Sequence, residues 1–193
     1  DALRYIASNP GVFNIDPQKI AIGGDSAGGN LAAYLAICAR AEGISLVLQI
    51  LLYPVTDSRS YLDGVSTFAY PSIDENKNSP LLTLETMQFF ARETLSGSET
   101  TLSASDWRLS PILTEDLSNL APAYIAVCEL DPLRDEGIAY ANRLTEAGNT
   151  VTLSNWPGQV HLLMQLAPVT DDGRRLLEAV VSALKSAFAG EAL

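Results

Sequence analysis

The chain has 193 residues, with 12 basic against 23 acidic side chains and therefore a formal net charge of −11. A surface that binds nucleic acid needs clustered lysine and arginine, so this charge balance argues against DNA or RNA as a partner. The two cysteines, Cys38 and Cys128, lie far apart, and one histidine cannot complete the Cys/His set of a structural zinc site. No apolar run approaches the roughly 18 residues of a membrane helix, so we expect no stable membrane anchor. As a separate expectation, we assign a cytoplasmic location.

Apolar runs and helical periodicities alternate along the chain. Residues 45–53 are almost continuously apolar, which is typical of a strand whose sheet is covered on both faces. This alternation predicts an α/β fold with a parallel sheet, right-handed crossovers and flanking helices. In chain order, the predicted elements are a strand at 19–24, a helix at 26–42, strands at 45–53 and 123–130, a helix at 133–147, a strand at 151–155 and a helix at 172–188.

The last helix carries an apolar stripe at helical spacing. We expect this stripe to face the sheet, and its members are Leu177, Val180, Val181, Leu184 and Phe188.

One long segment, approximately residues 57–121, breaks the alternation. Connections in α/β units are commonly about 2–6 residues plus the helix, so this segment is an insertion into a single domain that covers residues 1–193. It contains one amphipathic stretch, at residues 84–95. We expect the insertion to contribute to a cap over the site, and the alternative is a crossover that never touches substrate.

A five-residue motif, GDSAG at residues 24–28, follows the first strand and opens a helix. In the G-x-S-x-G pattern the serine lies on a sharp strand-to-helix turn, and the flanking glycines avoid Cβ clashes. Glycine-rich turns at this place also bind phosphate, but the further glycines or the Gly-Lys-Ser/Thr of phosphate loops are absent. The motif therefore makes Ser26 a candidate nucleophile.

A serine nucleophile needs a base, and His161 is the only histidine in the chain. It follows the last predicted strand, at the carboxyl edge of the sheet where α/β folds gather their sites. Asp131 directly follows the third strand and is a candidate for the carboxylate that orients the base, and Asp57, after the second strand, is its rival. The remaining acidic candidates are less suitably placed, namely Asp135 and Glu136 in the first turn of a helix, Asp25 beside the serine, and Asp16 in a turn.

The chain order Ser26, Asp131, His161 is that of α/β-hydrolases. Chymotrypsin-like peptidases place the histidine before the serine, so that class is excluded even though the string GDSAGG is similar to theirs.

Several motifs in the right order support a family resemblance: residues 16–33 around GDSAGG, YPVTD at 53–57, SPIL at 110–113, DPLRDEG at 131–137 and His161. Together they resemble the bacterial hormone-sensitive-lipase-like esterases of the GDSAGG subgroup. The resemblance implies an α/β-hydrolase fold and hydrolysis of small carboxylic esters, usually of short to medium acyl chains, without a metal or organic cofactor. By motif, it implies Ser26 as nucleophile, Asp131 as acid and His161 as base. The family's usual His-Gly-Phe is replaced here by His161-Leu-Leu.

The family also carries a His-Gly-Gly-Gly loop upstream of the serine, which supplies most of the oxyanion hole. The sequence starts after that point, and the N–H of Ala27 is the one donor it offers. Losing one such donor costs about 10²–10³ in kcat, so we expect the isolated chain to be impaired.

The earlier strands of the family's sheet are likewise absent from the sequence. We expect an N-terminal segment or another chain, such as the second copy in a homodimer, to cover the edge of the strand at 19–23. The alternative function is that of a non-catalytic small-molecule-binding protein, or an inactive fragment, on the same fold.

Overall fold

A computed structural model describes residues 1–62, 68–96 and 102–191, so the predicted insertion lies partly outside the described residues. The described parts hold four strands, β1 to β4, at Ala21–Asp25, Leu48–Leu52, Ala123–Leu130 and Val151–Val160. They also hold seven α-helices, α1 to α7, at Ala2–Ser8, Pro10–Phe13, Ala27–Glu42, Pro71–Glu75, Leu84–Leu95, Arg134–Glu146 and Asp171–Ala189. Two short 3₁₀ turns occupy Pro111–Leu113 and Leu163–Leu166.

The four strands form one parallel sheet in the order β1-β2-β3-β4, which confirms the predicted α/β class. Strand β2 lies in the interior of the sheet and all five of its residues are buried. Helices α3 and α6 pack on one face, where Ile37 and Leu144 meet the β2 residue Leu51. Helix α7 packs on the other face through Leu176 and other apolar residues. Covering both faces explains why residues 45–53 are apolar without alternation.

The face that α7 buries differs from the prediction. The residues against the sheet are Leu176, Val180 and Ala183, whereas Leu177 and Val181 are 44% and 39% exposed. A 3.6-residue period allows two neighbouring stripes on this helix, and the prediction that Leu177 and Val181 face the sheet was wrong. The tight approach of Gly173 to the main chain of Ala167 fixes which stripe turns inward.

Strand β4 is twice as long as the predicted strand at 151–155 and extends to Val160, directly before His161. A shift in the β3–β4 register between Cys128 and Leu130 accommodates the added residues. Within the described ranges, β1 is hydrogen-bonded to a neighbouring strand on one side only, the side of β2. No helix among the described residues is long and apolar enough to cross a membrane.

Candidate active site

The turn between β1 and α3 places Ser26 at the carboxyl edge of the sheet. Its φ of +54° and ψ of −121° are unusual for a residue with a side chain, and they project the hydroxyl away from the strand. The main chain is held on both sides, because Ser26 N–H donates to Leu52 O at 2.9 Å and Ser26 O accepts from Val55 N–H at 3.2 Å. A Cβ on Gly24 would lie 2.2 Å from Gly28 O, so this turn requires glycine there.

The structure brings together the three side chains that the sequence singled out. His161 Nε2 lies 2.9 Å from Ser26 Oγ, and His161 Nδ1 lies 2.7 Å from Asp131 Oδ2. Asp131 is fully buried and His161 is 2% exposed. The second carboxylate oxygen, Asp131 Oδ1, accepts from Leu133 N–H at 2.9 Å. Because an ionised carboxylate only accepts, Nδ1 donates to Asp131, and in the neutral imidazole this leaves Nε2 facing the serine as an acceptor.

Asp57, the rival acid, lies in a different set of contacts. Arg59 donates to both of its oxygens at 2.8 Å, and Tyr70 Oη donates at 3.0 Å. Burial opposes its ionisation, yet the hydrogen bonds from Arg59 and Tyr70 together lower the pKa of Asp57. The structure therefore pairs Asp57 with an arginine and leaves His161 to Asp131.

The other acidic candidates also have partners of their own. Asp135 accepts from Arg134 at 2.7 Å, and Asp16 accepts from Gln18 N–H at 2.9 Å, as in a turn. Glu136 is fully buried and accepts from the main chain of the segment after β2. Asp25 accepts from Gln165 Nε2 at 2.7 Å.

Tyr53 and Gln165 are site neighbours that the sequence reasoning missed. The Tyr53 ring packs edge-on against the His161 ring, with 4.9 Å between the ring centroids. Tyr53 Oη donates to Gln165 Oε1 at 2.7 Å, and Gln165 Nε2 in turn donates to Asp25, the residue before Ser26. Burial and the Asp25 carboxylate raise the pKa of Tyr53, so its hydroxyl remains a donor. The sequence signal that could have indicated a different arrangement here was the LLMQL string at residues 162–166, where the chain departs from His-Gly-Phe.

An apolar cavity of about 500 Å³ opens beside Ser26. Much of its wall comes from α5, which contributes Met87, Phe90, Ala91 and Leu95. The helix is amphipathic and is capped at its N-terminus by Thr83, whose hydroxyl accepts from Thr86 N–H. A site with these walls accommodates a small apolar group next to the serine hydroxyl.

Ala27 is the first residue of α3 and also lines the cavity. The first four N–H groups of a helix have no acceptor within the helix, so the Ala27 N–H is available for an anionic oxygen near Ser26. Across the described ranges, no group of three or more His, Cys, Asp or Glu side chains has the arrangement of a metal site.

Comparisons with known proteins agree with this geometry. A family model described as alpha/beta hydrolase fold matches residues 1–165. The chain is 38% identical over 192 residues to the carboxylesterase NlhH of Mycobacterium tuberculosis, covering 97% of this chain and 56% of that protein. It is 35% identical over 187 residues to an ethyl acetate hydrolase of Pseudomonas putida, covering 96% of this chain and 55% of that protein.

Among solved structures, the esterase of Pyrobaculum calidifontis superposes with a TM-score of 0.83 at 34% identity, covering 96% of this chain and 58% of the esterase. The chain thus spans a little over half the length of these relatives. The match to the family model over most of the chain, together with this identity, shows that the chain belongs to the alpha/beta hydrolase family, in its hormone-sensitive-lipase-like branch.

Proposed function

We propose that the protein hydrolyses carboxylic esters through an acyl-enzyme intermediate. The observation that carries the proposal is the continuous hydrogen-bond path from Asp131 through His161 to Ser26 Oγ, which ends at the mouth of the apolar cavity. A serine hydroxyl becomes a competent nucleophile when a neighbouring base accepts its proton, and these distances permit that transfer.

In the first half-reaction, Ser26 Oγ attacks the ester carbonyl carbon while its proton passes to His161 Nε2. The buried Asp131 carboxylate stabilises the imidazolium that forms, and the Ala27 N–H donates to the developing oxyanion. The alcohol then leaves with the proton from His161. In the second half-reaction, His161 takes a proton from water and the hydroxide attacks the acyl carbon. The bond from that carbon to Ser26 Oγ then breaks, His161 returns the proton to Ser26 Oγ, and the carboxylic acid is released.

The cavity supports small, uncharged acyl groups as substrates. Its wall is mainly apolar, and the acidic residue Asp25 is among those that line it. The chain's net charge of −11 also disfavours anionic esters. We therefore assign short to medium acyl esters, and we propose that α5 in the 57–121 insertion forms part of the cap that holds them.

A fluorophosphonate probe, which reacts covalently with activated serines, tests the proposal in the whole protein. We expect mass spectrometry to find the probe on Ser26, and Ser26→Ala to abolish both the labelling and the hydrolysis of p-nitrophenyl butyrate. Removing the nucleophile of a triad lowers kcat by about 10⁶-fold. Ser58 also lines the cavity, so Ser58→Ala is the matched control and should keep the label on Ser26. Labelling that survives Ser26→Ala would exclude Ser26 as the nucleophile.

A further inference from the structure

The turn that carries Asp131 is held by side chains from a distant segment of the chain. The main-chain carbonyls of four consecutive residues, 129–132, each accept a hydrogen bond from the segment 72–79. Asn76 Nδ2 lies 3.3 Å from Glu129 O and 3.4 Å from Asp131 O. Ser72 Oγ donates to Pro132 O at 2.8 Å, and Ser79 Oγ donates to Leu130 O.

Further contacts fix the direction of this segment. Ser72 Oγ also accepts from Asp135 N–H at 3.2 Å, and Ser72 N–H donates to Asp135 Oδ2 at 2.8 Å. Arg134 joins the two parts again through Glu75, at 2.8 Å. Ser72 is fully buried, and Asn76 and Ser79 are 9% and 8% exposed. The bond from Ser72 Oγ to Pro132 O is buried, and a hydrogen bond away from water is electrostatically stronger than one in water.

The local backbone explains why these carbonyls need outside donors. The β3–β4 register shifts between Cys128 and Leu130, so the regular ladder is interrupted where the turn begins. Helix α6 starts at Arg134, whose N–H donates to Asp131 O and whose guanidinium donates to Glu129 O. Leu130 O and Pro132 O, by contrast, receive their donors from Ser79 and Ser72.

We propose that Ser72, Asn76 and Ser79, here called the brace, are positioning residues for Asp131. The brace holds the turn so that Asp131 Oδ2 stays 2.7 Å from His161 Nδ1. A displacement of about 1 Å would break this hydrogen bond. The insertion thereby serves the site in two ways, by lining the cavity with α5 and by fixing the acid with residues 72–79. The catalytic consequence rests on the proposed function, whereas the positioning of Asp131 does not.

His161 reports on this positioning without any turnover, since it is the only histidine in the chain. With ¹⁵N-labelled histidine, NMR shows which ring nitrogen carries the proton and whether the Nδ1 proton resonates at low field, as it does in a short bond to a carboxylate. We expect the unsubstituted protein to show one low-field Nδ1 proton, absent in His161→Gln. In Ser72→Ala and Ser79→Ala, this signal should move upfield or broaden by exchange with water, and the other tautomer should appear.

Ser110→Ala is a closely matched control. Like Ser72, Ser110 is fully buried within the insertion, and its hydroxyl donates to one carbonyl, Ala104 O, and accepts from one N–H, that of Ser58. It makes no bond to the Asp131 turn, so Ser110→Ala should keep the low-field signal. In the whole protein, Ser72→Ala and Ser79→Ala should lower kcat for p-nitrophenyl butyrate about 10- to 100-fold with little change in KM.

Unchanged His161 spectra in both Ser72→Ala and Ser79→Ala would overturn the proposal, and so would an equal loss of the signal in Ser110→Ala. If circular dichroism shows that Ser72→Ala does not fold, the comparison of Ser79→Thr with Ser79→Ala decides whether the proposal holds. Ser79→Thr keeps the hydroxyl and should keep the signal, whereas Ser79→Ala should lose it. If the brace variants give the expected His161 spectra but the whole protein hydrolyses no ester, the positioning role stands and only the proposed function is refuted.

Discussion

Replacing Glu136 by glutamine tests whether this carboxyl keeps its proton in the folded protein. Glu136 Oε1 accepts from the N–H groups of Thr56 and Asp57 at 2.7 and 3.1 Å, whereas Oε2 has no hydrogen-bond partner within the described parts of the chain. Complete burial is the main cause that raises the pKa of Glu136 well above its usual range, and the Asp57 and Asp131 carboxylates add to it. Glutamine has nearly the same shape and can accept the same two bonds, but it cannot ionise.

The expected magnitude follows from proton linkage. Above the ordinary glutamate value of 4.5, the unfolded state releases the proton that the folded state keeps, so rising pH favours unfolding. The free energy of unfolding then falls by about 1.4 kcal/mol for each pH unit until the folded carboxyl ionises too. Glu136→Gln lacks this penalty, so its stability relative to the unsubstituted protein should rise from pH 5.5 upward, by at most about 1.4 kcal/mol for each pH unit over which the folded carboxyl stays protonated.

Urea unfolding followed by circular dichroism at pH 5.5, 6.5 and 7.5 measures this difference directly. The control is Glu178→Gln on α7, where the side chain is exposed, and its stability relative to the unsubstituted protein should stay constant over these three pH values. If the stability difference between Glu136→Gln and the unsubstituted protein were also independent of pH, the folded protein would hold Glu136 ionised. The argument from burial would then be refuted.

Three further substitutions probe the turn, the cavity and the Asp57–Arg59 ion pair. Gly24→Ala places a Cβ 2.2 Å from Gly28 O, so it should abolish fluorophosphonate labelling of Ser26; normal labelling would show that the turn can open. Ala91→Leu fills part of the cavity, and it should lower kcat/KM for octanoyl relative to acetyl esters about tenfold; an unchanged ratio would place the acyl group elsewhere. Arg59→Met removes a partner that lowers the pKa of Asp57. In the unsubstituted protein, the Asp57 carboxylate contributes stability above the pKa it has in the unfolded chain. This contribution disappears as pH falls through the pKa it has in the folded protein. The acid unfolding midpoint, followed by circular dichroism, should therefore move to higher pH, and a midpoint that stays in place would contradict this account.

Sequence patterns predict the elements whose buried faces leave a regular spacing of apolar residues. The apolar run at 45–53 and the amphipathic stretch at 84–95 correspond to β2 and α5 because burial on two faces or on one face leaves a distinct pattern. Such patterns fail to predict the second half of strand β4. Residues 156–160 read WPGQV, and the proline and glycine indicate a loop, yet pairing with the irregular end of β3 draws them into the sheet.

The same division holds at the site. Ser26 was found from a motif whose glycines the turn geometry demands, and His161 was found because the chain offers no other histidine. Gln165 is marked only by the departure of residues 162–166 from His-Gly-Phe, and the brace carries no mark, since single serines and asparagines occur in most loops. Their partners lie 51 to 140 residues away along the chain, so only the folded structure identifies them.

The hydrogen bond between His161 Nε2 and Ser26 Oγ joins residues 135 positions apart. Ser26 follows the first strand of the sheet and His161 follows the fourth, and these two strands are three strand spacings apart, on the order of 14 Å. Contacts this distant along a chain carry a large loop-closure cost, so we expect this one to form late in folding. During refolding from denaturant, the helical circular dichroism signal should therefore return before Ser26 reacts with a serine-directed probe. The rate of labelling then measures how fast the last step of assembly occurs.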